Sequence, residues 1–250
     1  MKSLIPTAKS LCAIVSLAII FGLLGFAYSF LGLLHKTQNI VSLEVFRLLT
    51  VNEIGGHFLF GVIVSIPLRN IKVSILIGLM ALAIDSDHLL TLTGFHTQAR
   101  IDHSIPFAII SSILMGLVAD QIYFKISREN RIYIRSQQTR SKMDNYFGEE
   151  KQNSIANNNK SNKRNSLFVF FSFISLSAFL SHIAYDVVVD DKARFPLFAP
   201  LSFSGLIIPN GYGIPIEVAG FVVIGILAYL SDTSMGDGKQ RLSFGLSRRL

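Results

Sequence analysis

Apolar positions run along this chain in unbroken blocks rather than in the alternation of a strand or the one-sided stripe of a soluble helix. Residues 11–34 hold no charged side chain. Further apolar blocks lie at 54–68, 73–90, 105–124, 166–189 and 214–230. A helix needs roughly 20 apolar residues to cross a hydrocarbon core. The pattern therefore predicts an all-α, polytopic membrane bundle of about six transmembrane helices. The second block is short and is expected to extend backward through the amphipathic stretch 40–51. A cleaved signal peptide is the rival reading of the first block, but its apolar run exceeds the roughly 7–15 residues of a signal h-region. We expect it to be retained as an anchor.

Between the fourth and fifth blocks, residues 125–165 are rich in Asn, Ser, Lys, Arg and Gln, with Asn157-Asn158-Asn159 near the centre. Such a segment buries too little apolar surface to offset the entropy of ordering it. The expected organisation is membrane helices over 1–124, a disordered basic loop over 125–165, two more helices over 166–231 and a tail over 232–250.

Composition agrees, since 50% of the residues are hydrophobic and only 16% charged, against about a quarter charged in soluble domains. The net charge of +7 suggests nucleic acid until the basic residues are placed. With the N-terminus inside, the inner segments hold 2, 2, 10 and 4 Lys or Arg, 18 of the chain's 23. Cytoplasmic segments carry that excess. The N-terminus, the long loop and the C-terminus are thus expected to be cytoplasmic in a cell-membrane protein. The basic loop faces anionic lipid headgroups rather than a specific nucleic acid. Cys12 is the only cysteine, which excludes disulfides within the chain and thiolate zinc clusters.

Acidic and imidazole groups inside spans are costly and mark function. The candidates are His57, Asp85, Asp87, His88, His103, His182 and Asp186. On the predicted topology all of them fall toward the outer face. His182 and Asp186 are four apart, and Asp85 and His88 three apart, so each pair shares a helix face. Imidazole nitrogen and carboxylate oxygen together suit a divalent metal, zinc or alternatively manganese. Each residue has a plainer reading. His57 after Gly55-Gly56 can bond a neighbouring helix, Asp85-Ser86-Asp87-His88 can be a solvated helix end, and Asp102 before Ile105 can be an N-cap. Glu217, Asp120, His35 and His96 are set aside as structural or exposed.

His-Glu-x-x-His and Gly-x-Ser-x-Gly are both absent from the sequence, which removes the helix-borne zinc protease and the serine hydrolase elbow. The order of the short motifs resembles the YdjM-type family of membrane-bound metal-dependent hydrolases. The matching pieces are Gly56-His57, Asp85-Ser86-Asp87-His88, Asp102-His103-Ser104, Ser181-His182 with Asp186, and Pro196-Leu197-Phe198-Ala199-Pro200. Gln98-Ala99-Arg100 stands where that family commonly reads His-Arg-Gly, and Asp102 replaces a threonine. The family is in turn distantly similar to zinc-dependent phospholipase C and P1-type nucleases, so the resemblance implies phosphoester chemistry.

The expectation is a hydrolase acting on a phospholipid or other amphipathic phosphoester at the outer face. Asp85 would accept a proton from water and Arg100 would pair with a phosphate oxygen. A divalent-cation transporter, or a non-catalytic scaffold with a structural His/Asp metal site, uses the same residues differently.

Overall fold

The computed structural model describes residues 8–33, 50–87, 101–119, 121, 153–190, 194–202 and 204–233. They are mostly helical. The helices are α1 (Ala8–Leu33), α2 (Val51–Val64), α3 (Ile71–Ala83), α4 (Ile105–Ala119), α5 (Asn153–Val189) and α6 (Gly213–Thr233). Each apolar block of the sequence has a helix within it.

Three stretches are long and apolar enough to cross a membrane: Leu11–Leu31, Leu167–Val189 and Asn210–Tyr229. Most of their outward residues are apolar, as a lipid-facing surface favours; Leu11, Val15, Ile19 and Leu23 are exposed along α1, and Val218, Phe221 and Val222 along α6. The middle helices are shorter than the expected spans. α2 has 14 residues and α3 has 13. α2 stops at Val64 because Pro67 follows within a short 3-10 turn, Ile66–Leu68, and proline supplies no N–H to continue the helix. α3 tightens into a second 3-10 turn, Ile84–Asp87.

Two other expectations change. Residues 153–165, read as disordered loop, form the first turns of α5; extending an established helix fixes one residue per added hydrogen bond, far cheaper than nucleating one. Residues 125–152 and 234–250 lie outside the described part. The fold is also not purely helical. Arg194–Phe195 and Leu206–Ile207 pair as antiparallel β1 and β2, where Pro196, Pro200, Gly205 and Pro209 exclude a helix.

The chain divides into two compact units, Met1–Ser112 with Phe173–Leu250, and Ile113–Ser172. In the second, α4 and α5 pack closely at Gly116, where an added Cβ would press on Phe168 and Ser172. In the first, α3 lies between α1 and α2. α2 and α3 meet backbone to backbone, because a Cβ on Gly61 would approach Gly78 Cα to 2.7 Å; small residues at such crossings allow the dispersion contact that holds helices together in lipid. Beneath the crossing Ser65 and Ser74 hydroxyls bond at 2.6 Å. Phe21, Ile77, Met80, Ile84, Ile101, Phe107 and Ile183 fill the core of this unit.

Candidate metal centre

Four separate stretches of the first unit deliver polar side chains to one end of it. α2 contributes His57 from its second turn. The 3-10 turn after α3 contributes Asp85, whose backbone (φ −67°, ψ 15°) leaves the helical path. This turn is held against α1, since Ser86 Oγ donates to the carbonyl of Gly22 at 2.7 Å. A short 3-10 turn, Ile101–His103, contributes His103. α5 contributes His182 and Asp186 one turn apart.

The five side chains meet. His57 Nε2 lies 3.2 Å from Asp85 Oδ2 and 3.3 Å from Asp186 Oδ1. His103 Nε2 lies 3.2 Å from Asp186 Oδ2 and 3.9 Å from Asp85 Oδ1. His182 Nε2 lies 3.6 Å from both Asp85 Oδ1 and Asp186 Oδ2. All three imidazoles are buried, and each carboxylate is 10% exposed. Two atoms each about 2.0 Å from one tetrahedral ion stand about 3.3 Å apart. The observed spacings bracket that value, and by distance alone two overlapping groups, His57 with Asp85 and His182, and His103 with His182 and Asp186, are close enough to hold a metal ion.

Surrounding groups fix the rings. His182 Nδ1 lies 2.8 Å from the carbonyl of Ala81. A carbonyl only accepts, so Nδ1 carries the hydrogen and Nε2 presents its lone pair to the cluster. The acceptor is one of the last carbonyls of α3, the kind a helix end leaves without an intrahelical partner. His103 Nδ1 lies 2.9 Å from Asp102 Oδ1, both residues fully buried. Such a carboxylate–imidazole pair orients a metal-binding histidine and raises its basicity. The ring of Phe195 stacks on His103 at 5.7 Å and 11°. Phe195 is itself placed by the Pro196–Pro200 turn, which accepts a hydrogen bond from Ile105 N–H at Leu197 (2.9 Å) and one from the Tyr28 hydroxyl at Ala199 (3.2 Å).

His57 is held from the other side. The Tyr185 ring meets it edge-on at 4.5 Å while the Tyr185 hydroxyl donates to the Asn52 carbonyl at 3.0 Å. Gly56 permits this, because a Cβ there would overlap the Tyr185 ring. Glu53, one turn before His57, places Oε2 3.9 Å from His57 Nε2 and is 34% exposed. It is the most exposed of the acidic groups around these rings.

Of the candidates named from sequence, His57, Asp85, His103, His182 and Asp186 are brought together. The side chain of Asp87, and His88 and Arg100 entirely, lie outside the described residues. Asp102 is no N-cap. That role belongs to Ser104, whose Oγ accepts from Phe107 N–H at 3.3 Å, while Asp102 turns to His103. Sequence reasoning missed Glu53 and Tyr185. Glu53 was within reach, since it stands four residues before His57.

No protein-family model, curated protein or solved structure matches the chain.

Proposed function

We propose that this protein is a membrane-bound, metal-dependent hydrolase of phosphoesters, with a phospholipid or another amphipathic phosphoester as substrate. The observation that carries the reading is the convergence of three buried imidazole Nε2 atoms and two carboxylates from four segments. Two of the three rings have their Nδ1 hydrogens committed elsewhere, to Ala81 and Asp102. Those two Nε2 lone pairs face one another and the carboxylates, an arrangement that a cation stabilises and that packing alone does not require. The all-nitrogen and oxygen donor set suits zinc, with manganese second. The motif order shared with the YdjM-type hydrolases supports the same chemistry.

A bound divalent ion would supply Lewis acidity and lower the pKa of water toward neutrality. The chain's own residues divide the remaining work. Both oxygens of Asp85 face imidazoles, so proton acceptance falls to Glu53 at the more exposed margin. Asp87, His88 and Arg100 are retained as contributors, the first two as ligands and Arg100 as the partner of a phosphate oxygen. Six spans with cytoplasmic termini would put the site at the outer lipid–water boundary, within reach of phospholipid headgroups.

The same donor set serves a divalent-cation transporter. The 3-10 turn Ile84–Asp87 that ends α3, with Asp85 off the helical path, favours that second reading, because transporters place ion ligands where helix gives way to irregular backbone. The deciding experiment uses the full chain in detergent and in liposomes. The hydrolase reading expects bound zinc or manganese and cleavage of phosphodiester or phospholipid substrates, both lost in His182→Ala. Metal uptake into liposomes without cleavage would replace the hydrolase by a transporter. Bound metal with neither activity would leave a structural site in a scaffold.

A further inference from the structure

We infer that the cluster is a two-ion centre, in which Asp85 and Asp186 bridge one divalent ion held by His57 and a second held by His103 and His182. The inference rests on the metal-site reading above and adds to it the number of ions and the division of ligands.

Ring orientation is the first observation. A metal on an imidazole lies close to the ring plane, about 2.0 Å beyond the nitrogen. The rings of His57 and His182 are stacked, with centroids 4.1 Å apart and planes inclined by only 16°. Planes so spaced and so nearly parallel meet on the order of 10 Å away, far beyond the reach of a metal–nitrogen bond of about 2.0 Å. His57 and His182 therefore cannot share an ion, although their nitrogens are close enough to be grouped by distance alone. His103 and His182 differ in this respect. Their planes are inclined by 61° and their Nε2 atoms lie 2.8 Å apart, so both lone pairs can point at one position.

The carboxylates give an independent observation. Each divides its two oxygens between the two sets of imidazoles. Asp85 turns Oδ2 to His57 and Oδ1 to His103 and His182. Asp186 turns Oδ1 to His57 and Oδ2 to His103 and His182. A carboxylate chelating a single ion would bring both oxygens to the same imidazoles. Three nitrogens and four oxygens also exceed the four ligands that zinc ordinarily takes, whereas two ions sharing the carboxylates use all seven.

Manganese titration of the full-length protein in detergent tests the division, with metal counted by mass spectrometry and coupling read by electron paramagnetic resonance. The expected result is two ions per chain, with an exchange-coupled spectrum in place of the six-line signal of isolated Mn2+. His57→Ala should fall from two ions to one and recover the six-line signal. His57→Gln, which keeps most of the ring's volume, gives the same comparison if the alanine variant unfolds. Wild-type protein that saturates at one ion overturns the two-ion centre and leaves the metal-dependent reading intact. Loss of both ions in His57→Ala and His57→Gln, each still folded by circular dichroism, overturns the assignment of His57 to its own ion. Wild-type protein that binds neither manganese nor zinc overturns both the inference and the reading beneath it.

Discussion

The imidazoles of His103 and His182 confront each other nitrogen to nitrogen, Nε2 to Nε2 at 2.8 Å. Two neutral rings at this distance normally share one hydrogen. Here each ring's hydrogen is drawn to its far side, by the Asp102 carboxylate and by the Ala81 carbonyl. If both rings are neutral, the lone pairs left facing inward repel, and a proton or a metal cation between them would relieve the repulsion. The contact is thus a consequence of groups outside the cluster, and it can be tested through them.

Asp102→Asn keeps the volume of a fully buried side chain but weakens its hold on the His103 hydrogen. Metal affinity, measured by competition with a chromophoric chelator, should fall by about 10–100-fold, the usual effect of losing such an orienting partner. Unchanged affinity would mean that Asp102 does not prepare His103 for metal.

Adjacent glycines of α2 should respond in opposite ways. Gly55 has nothing within 4 Å of an added Cβ, whereas one on Gly56 would strike the Tyr185 ring that braces His57. Gly56→Ala should cost about 1–3 kcal/mol through overpacking and weaken metal binding as His57 shifts. Gly55→Ala should be neutral or stabilise the helix by up to about 1 kcal/mol. Thermal unfolding in detergent gives both values, and equal effects at the two sites would refute the bracing role of Tyr185.

Removing metal should destabilise the fold if the ion binds only the native state. With free metal at 100 times its Kd, the loss on chelation is about 2.7 kcal/mol. His182→Ala should lower the melting temperature in the presence of metal and show little further change on chelation. A wild-type melting temperature indifferent to chelator would contradict a metal centre at these residues.

Glu53→Gln separates proton transfer from metal binding. Glu53 stands 3.9 Å from His57 and is more exposed than Asp85. Metal content should persist while phosphoester turnover falls by about 10²–10⁴-fold, the range of a lost general base. Loss of metal together with activity would make Glu53 a ligand instead.

Topology is testable without activity. The 18 basic residues that the six-span reading collects on one side would put Asn158 in the cytoplasm. A cysteine at Asn158, in a Cys12→Ser background, should resist an impermeant maleimide in intact cells and react after permeabilisation. Labelling in intact cells would invert the protein and move the His/Asp cluster to the inner face.

The sequence alone located the apolar part of each described helix, because long apolar runs have few alternatives to a helix whose backbone satisfies itself. It also named all five converging side chains, since ionisable groups are conspicuous in apolar surroundings and His182 with Asp186 follows the helical repeat. Helix lengths were less legible. Pro67 and the 3-10 turn at Ile84–Asp87 end α2 and α3 early, and an apolar count does not register such breaks. Only tertiary structure decided how the candidate ligands are oriented. His182 finds its acceptor at Ala81, 101 residues away, and His57 finds its brace in Tyr185 on another helix. Which lone pair faces inward, and which carboxylate oxygen faces which ring, depends on such distant contacts. Periodicity reports the neighbours of a residue on its own helix, and a metal centre is assembled from neighbours on others.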